Sequence, residues 1–140
     1  MPMIDVYATT GTFPDPDGLA RTLARTLMEV EQVPDIALFR SNTAAFIHEL
    51  PPGAISNVEG AHDYVRVQVL TNAGALDRDK QLAAVSRLTD AVAEAAGDPG
   101  LAARTWVLLT EAPEGGWGIA GRANTNAEIV ALAREELGRQ

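Results

Sequence analysis

The chain has 140 residues, of which 46% are hydrophobic, and carries a formal net charge of -8. This length allows one domain with its own core, and the acidic balance argues against nucleic acid or an anionic membrane surface as partners. The absence of cysteine excludes disulfides, thiolate nucleophiles and Cys-based metal sites, and two histidines argue against a His-rich metal site. Because the sequence has neither a basic, apolar leader nor a long apolar run, we expect a cytoplasmic protein without a membrane span.

The first half of the sequence predicts a strand, a long helix and a second strand. Residues 3–8 alternate between apolar and polar side chains, as a strand with one buried face does. Asp15 can cap a helix that runs to about Gln32, with a short helix capped by Asp35 after it. A second strand follows at residues 43–49. The predicted apolar stripe of the long helix consists of Leu19, Leu23, Leu27 and Val30.

The second half repeats this order. Residues 64–71 alternate as a β-branched strand, Asp77 can cap a helix that ends near Ala96, and residues 105–111 read as a buried strand. The predicted apolar stripe of this helix consists of Leu82, Val85, Leu88 and Val92.

Residue spacing supports a duplication. Glu49 and Glu111 lie 62 positions apart, and Gly11 and Gly74 lie 63 apart. A helical crossover makes the two strands of each unit parallel. We therefore predict an α/β (α+β) fold in which two tandem β-α-β units form a four-stranded sheet with both long helices on one face. Another subunit is expected to cover the other face.

These units form a single predicted domain, residues 1–140, with pseudo-repeats at 2–63 and 64–122. A helical tail at 125–138 begins with a capping-box pattern, Thr125 to Glu128, and carries apolar Ile129, Leu132 and Leu137. We expect this tail to pack on a neighbouring subunit.

Pro2 is a candidate catalytic residue. If Met1 is removed, Pro2 becomes a free secondary amine, and burial in an apolar pocket lowers the pKa of such a group from about 7.7–8.0. The neutral amine is then a suitable general base at pH 7. Position at the head of a duplicated β-α-β unit favours this role over chance placement.

The stretches MPMIDVYATTG and TWVLLTEAPEGGWGIAGR, with the duplication, resemble the tautomerase superfamily of 4-oxalocrotonate tautomerase. The length is similar to that of its fused members, malonate semialdehyde decarboxylase and cis-3-chloroacrylic acid dehalogenase. The resemblance implies a cofactor-free homotrimer in which Pro2 is the catalytic base. Val65 stands at the matching position of the second half, which implies three proline sites per trimer.

The sequence departs from this family where substrate-binding arginines are expected. Thr12 and Ala75 follow the two turn glycines, Ala44 and Trp106 stand near the starts of the closing strands, and the turn LTNAGA has no arginine. These departures argue against a dicarboxylate substrate and weaken the decarboxylase and dehalogenase interpretations.

Five residues are candidates for substrate binding beside Pro2. Trp117 matches the family's aromatic wall, with trimer packing as an alternative role. Asn72 and Thr12 can supply hydrogen-bond donors. Arg122 can reach a pocket or remain a surface charge, and Trp106 can make the pocket more apolar, although burial in the sheet or an interface is favoured. Arg66 is expected to pair with Asp5 across strands.

The leading hypothesis is a cofactor-independent keto-enol tautomerase or isomerase acting on a small 2-keto or enol acid, with no metal, nucleic acid or membrane partner. One alternative is a decarboxylase or dehalogenase-like hydratase of the same superfamily. Another is a non-catalytic trimer that binds a small molecule or is purely structural, which applies if Met1 is retained and Pro2 is an amide.

Overall fold

A computed structural model describes residues 1–139, so Gln140, the end of the predicted domain, lies outside the described residues. The first unit comprises β1 (Met3–Thr9), α1 (Pro16–Glu31), α2 (Ala37–Ser41) and β2 (Ala44–Leu50). A short 3-10 turn at Pro52–Ala54 leads to the second unit, which comprises β3 (Val65–Thr71), α3 (Arg78–Ala96), a 3-10 segment (Pro99–Arg104) and β4 (Thr105–Glu111). The hairpin β5 (Trp117–Ile119) and β6 (Arg122–Asn124) and the helix α4 (Asn126–Gly138) complete the order.

The predicted four-stranded sheet is confirmed, with strand order β2-β1-β3-β4. Each unit contributes one parallel pair, and the units join through antiparallel pairing of β1 with β3, where Met3 is opposite Leu70 and Tyr7 is opposite Arg66. The start of β1 therefore lies at the same end of the sheet as the end of β3. Pro2 and Val65, which head the two units, lie at opposite ends.

Helices α1 and α3 cover one face of this sheet. Ile4 and Val6 of β1 and Val67 of β3 are fully buried, and the intervening residues face the other way. Both helices begin where predicted, because Asp15 accepts a hydrogen bond from the Gly18 N–H and Asp77 accepts one from the Lys80 N–H. All four residues of the predicted α1 stripe are buried.

The predicted stripe of α3 is half wrong. Leu88 and Val92 are fully buried, but Leu82 and Val85 are exposed, and Ala84 is buried instead. Small alanines let this helix approach its neighbours closely, and an alanine-rich face is hard to recognise from hydrophobicity alone. Helix α2 also differs, because its N-cap is Ile36 rather than Asp35.

The second face of the sheet is uncovered within one chain. The predicted buried strand β4 in fact exposes Trp106 and Leu108, and Phe46 of β2 is half exposed on the same face.

In α4 the capping box is present, but only Ile129 of the three predicted apolar residues is buried, whereas Leu132 and Leu137 are exposed. No helix within residues 1–139 is long and apolar enough to cross a membrane.

Candidate active site at the N-terminus

Met1 and Pro2 are buried at the start of β1. The Met1 side chain is 2% exposed and Pro2 is also fully buried. The Pro2 carbonyl accepts a hydrogen bond from the Ala44 N–H at 3.2 Å, which extends the β1–β2 pairing by one residue. The backbone at Pro2 is therefore fixed by the sheet.

Met1 belongs to a second hydrophobic cluster, separate from the main core, that brings together the end of α1, helix α2, the β5–β6 hairpin and α4. Its other buried members are Met28, Ile36, Phe39, Trp117, Ile129 and Ala133. Trp117 is 6% exposed, and the Asn124 amide, also buried, donates to the Trp117 carbonyl at 3.1 Å. The hairpin turn that positions Trp117 uses positive φ angles at Ala120 and Gly121.

The Met1 amine donates a hydrogen bond to Glu31 Oε1 at 3.3 Å. The Glu31 side chain is 4% exposed, and the two groups form an ion pair inside the protein. Lys80, the only lysine of the chain, donates from Nζ to the Glu31 backbone carbonyl at 3.2 Å. The last turn of α1 thus carries a buried carboxylate to the N-terminus of the chain.

Burial changes the proton affinity of both groups. Desolvation lowers the pKa of the Met1 amine below its ordinary value, although the Glu31 charge and hydrogen bond oppose this. Desolvation likewise raises the pKa of Glu31, opposed first by the amine and then by Lys80. An amine at this end of the sheet is therefore easier to deprotonate than one in water.

A small cavity of about 200 Å³ lies at the same end of the sheet. Met3 and Asn42 line it from one side, Leu70 from β3, and Trp117 and Ile119 from the hairpin. The Asn42 amide donates to the Leu38 carbonyl at 2.8 Å, which fixes the orientation of its side chain. Predominantly apolar walls with a few polar groups are typical of a small-molecule site.

Solved structures share this arrangement of strands and helices. A fused 4-OT wild-type symmetric trimer matches with a TM-score of 0.71 at 20% identity, covering 86% of this chain and 93% of that one. A member of the cis-3-chloroacrylic acid dehalogenase family matches with a TM-score of 0.73 at 16% identity over 99% of both chains. Malonate semialdehyde decarboxylase matches with a TM-score of 0.69 at 14% identity, covering 92% of this chain and 96% of that one. No family model and no curated protein matches the sequence.

The chain has the tautomerase-superfamily fold. The resemblance expected from the MPMIDVYATTG and TWVLLTEAPEGGWGIAGR stretches is thus confirmed at the level of fold. Identities of 14–20% leave the reaction and the role of individual residues to be argued from this chain.

Two of the residues expected to bind substrate lie at the Pro2 end of this tautomerase fold. Trp117 packs in the cluster that contains Met1. Asn72 follows β3 at this end, where its amide donates to Asn126 Oδ1 at 3.0 Å and thereby ties β3 to α4. Trp117 therefore lies in the candidate site, whereas Asn72 joins β3 to α4 at the edge of the site.

Two others lie at the opposite end of the sheet within the same chain. Thr12 follows β1, and its hydroxyl donates to the Thr9 carbonyl at 2.6 Å. Trp106, at the start of β4, stacks on Tyr64 with ring centroids 4.7 Å apart on the uncovered face. Only another copy of the chain could bring these residues to Pro2.

Arg122 is engaged at the protein surface. Its guanidinium forms an ion pair with Glu128 of the α4 capping box, and this hydrogen bond holds the pKa of Glu128 below its usual value. The Arg122 side chain is 70% exposed. In this arrangement the Arg122 charge is paired with a residue of α4 rather than with a group in the cavity.

The predicted ion pair between Arg66 and Asp5 is wrong. Asp5 instead lies 2.7 Å from His48 Nε2, and His48 stacks on Tyr7. Arg66 donates to Gln68 Oε1 and lies over the Tyr7 ring. These residues form a polar and aromatic strip along the uncovered face of the sheet.

Sequence reasoning did not identify Glu31, Lys80 or Asn42 as site residues. Glu31 lies four residues after Leu27, on the apolar face of α1, where a surface helix usually buries an aliphatic side chain. A charged residue on that face is the sequence feature that could have identified Glu31 as a site residue. Within residues 1–139, no group of three or more His, Cys, Asp or Glu side chains could hold a metal ion.

Proposed function

We propose that this protein is a cofactor-independent keto-enol tautomerase in which Pro2, freed by removal of Met1, is the general base. The supporting observation is the buried position of Pro2 at the start of β1, directly before Met3, which lines a small cavity together with Trp117. Its substrates are small carbonyl compounds that enolise, the class that includes the 2-keto and enol acids expected from the sequence.

The proposed chemistry needs only a proton carrier of suitable strength. Burial lowers the pKa of the amine that the chain places here, and the same desolvation acts on a secondary amine at Pro2. The neutral amine accepts a proton from the carbon next to the carbonyl and returns it to another position of the conjugated system. Trp117 excludes water from the amine, which maintains the low proton affinity.

We further propose that the working form is a homotrimer. The uncovered sheet face exposes Phe46 on the edge strand β2 and Trp106 and Leu108 on the opposite edge strand β4, and another copy of the chain can cover these apolar side chains. A fused 4-OT of the same fold is described as a symmetric trimer. Packing of copies through this face is also the arrangement that would bring Thr12 or Trp106 of one subunit toward Pro2 of another.

A non-catalytic role is the second candidate, and the Met1–Glu31 pair favours it if Met1 is retained. In that form the terminal amine belongs to Met1 and is already held by Glu31, and Pro2 is an amide. The superfamily's decarboxylation and hydration reactions are a third candidate. The arginine-free turn at Asn72 argues against them.

The test combines mass and activity. Intact mass spectrometry of the purified protein is expected to show loss of Met1. Phenylenolpyruvate ketonisation should then fall at least about 100-fold in Pro2→Ala, the usual scale of general base catalysis. Circular dichroism of the variant controls for folding. Retained Met1, or equal activity of the variant, contradicts the proposal.

A further inference from the structure

Glu31 is a buried carboxylate whose side-chain partner disappears when Met1 is removed. Its contact with the Met1 amine is the side-chain hydrogen bond that the structure gives it. Lys80 binds the backbone carbonyl of the same residue rather than the carboxylate. Loss of Met1 therefore leaves an almost fully buried acid that needs a new hydrogen-bond partner.

The Pro2 nitrogen lies close to this carboxylate. Only three bonds separate the Met1 and Pro2 nitrogens, which places them roughly 3–3.7 Å apart. Because Glu31 Oε1 is 3.3 Å from the Met1 nitrogen, it lies within roughly 7 Å of the Pro2 nitrogen. That span accommodates one small functional group between the two.

The space between them is the volume that Met1 occupies. Met1 shares its hydrophobic cluster with six other buried residues, namely Met28, Ile36, Phe39, Trp117, Ile129 and Ala133. None of these six side chains is charged. The charged groups near this space are therefore Glu31, the Pro2 amine and Lys80, which binds the Glu31 backbone carbonyl.

We propose that Glu31 is a second acid-base residue of the site and that it selects neutral carbonyl or enol substrates over carboxylates. This inference rests on the proposed function, and it narrows the acid substrates expected from the sequence. When Pro2 is protonated, its charge is balanced by the Glu31 carboxylate, and Lys80 is held at the Glu31 backbone carbonyl. A substrate carboxylate would be repelled by the Glu31 carboxylate in a largely apolar enclosure.

The proton transfers balance without a cofactor. In ketonisation, the Glu31 carboxylate accepts the enol O–H proton while the Pro2 ammonium gives its proton to carbon. The enol O–H and the Pro2 N–H bonds break, a C–H bond and a Glu31 O–H bond form, and C=C–O becomes C–C=O. Return of the proton from Glu31 to the Pro2 nitrogen restores the starting state.

The experiment compares phenylpyruvate with its methyl ester, a pair that differs in charge but shares the enolising group. For the protein without Met1, the ester should show kcat/KM at least about tenfold above the acid, since charge repulsion in a buried pocket is worth that much. Glu31→Gln should lower kcat for the ester at least about tenfold and reduce the preference for the ester. Glu29→Gln, on the exposed side of the same helix, is the matched control and should change neither value.

Equal or better turnover of the acid overturns the inference and would point to Lys80 as a carboxylate partner. An unchanged preference in Glu31→Gln overturns it as well. Failure of the proposed function is different, because activity on both compounds is then independent of Pro2→Ala or absent. Affinity followed by intrinsic tryptophan fluorescence still tests the inference in that case: the ester should bind more tightly than the acid to the wild-type protein, and tighter binding of the acid contradicts it. This comparison also remains valid if Glu31→Gln does not fold.

Discussion

The Glu31 carboxylate and the Met1 amine form a hydrogen-bonded pair 3.3 Å apart, with the Glu31 side chain 4% exposed and the Met1 side chain fully buried. A surface ion pair of this length contributes little, but a buried pair makes each group dependent on the other. The N-terminus of this chain is thereby held against the end of α1. Whether Met1 is present therefore decides whether Glu31 keeps this hydrogen-bond partner.

Replacement of Glu31 by Gln should change how stability depends on pH. Burial raises the pKa of Glu31, so this residue binds more protons in the folded protein than in the unfolded chain. The contribution of Glu31 to the free energy of unfolding therefore falls as pH rises through its raised pKa. Glu31→Gln should lack this contribution. Urea unfolding between pH 4.5 and 7.5 measures it, and a decline of equal size in Glu31→Gln would contradict the assignment, with Glu29→Gln as control.

Truncation of Trp117 should raise the pKa of the Pro2 amine. Trp117 is 6% exposed and belongs to the hydrophobic cluster that contains Met1. Trp117→Ala therefore admits water and favours the charged form of the amine. The pH-activity profile should move toward the ordinary amine pKa of about 8. Val130→Ala, on the exposed side of α4, should leave the profile in place. An unchanged profile in Trp117→Ala would show that other groups exclude water.

Loss of the α4 cap should destabilise the protein. The Thr125 hydroxyl accepts from the Glu128 N–H at 3.2 Å, and Glu128 Oε1 accepts from the Thr125 N–H. Thr125→Ala should cost about 1 kcal/mol of unfolding free energy. Thermal or urea unfolding measures this, and Thr89→Ala, within α3, where the hydroxyl donates to the Val85 carbonyl of the same helix, should cost less. Equal losses in the two variants would mean that the capping box adds nothing.

A charge on the uncovered sheet face should disrupt the assembly. Leu108→Arg places a guanidinium in the proposed interface, whereas Leu82→Arg places one on the solvent side of α3. Size-exclusion chromatography with light scattering should show a trimer for the wild type and for Leu82→Arg, and smaller species for Leu108→Arg. A monomeric wild type would contradict the trimer, and a trimeric Leu108→Arg would place the interface elsewhere.

The sheet and both long helices were predictable because short-range patterns specify them. Alternation over residues 3–8, the caps at Asp15 and Asp77 and the spacing of the two halves are local or arithmetic signals. The α3 stripe was predicted less well, because the alanines that pack there give a weak hydrophobic signal. Leu108 was assigned to a buried strand but is exposed within one chain. An apolar strand has the same sequence pattern whether a helix of its own chain or another subunit covers it.

The candidate site was predictable only where it lies near Pro2 in sequence or in a recognisable motif. Glu31 reaches the N-terminus through tertiary packing of α1, and Lys80 joins it from the other unit. Contacts separated by 30 and 49 residues leave no periodic trace. Thr12 was grouped with Pro2 by analogy, although the length of β1 separates them within one chain.

Antiparallel pairing of β1 with β3 places Val65, the counterpart of Pro2, at the far end of the sheet, where residues 51–64 lead into it. A nitrogen in the middle of a chain is an amide with no basic lone pair, whatever residue carries it. In the reaction proposed for Pro2, joining two units end to end thus leaves Val65 without the basic nitrogen that the reaction needs. The groove of about 670 Å³ at that end, which His62 and Arg104 help to line, therefore has no terminal amine of its own. His62 and Arg104 can then vary without loss of the proton carrier, so this end of the second unit is open to a different task.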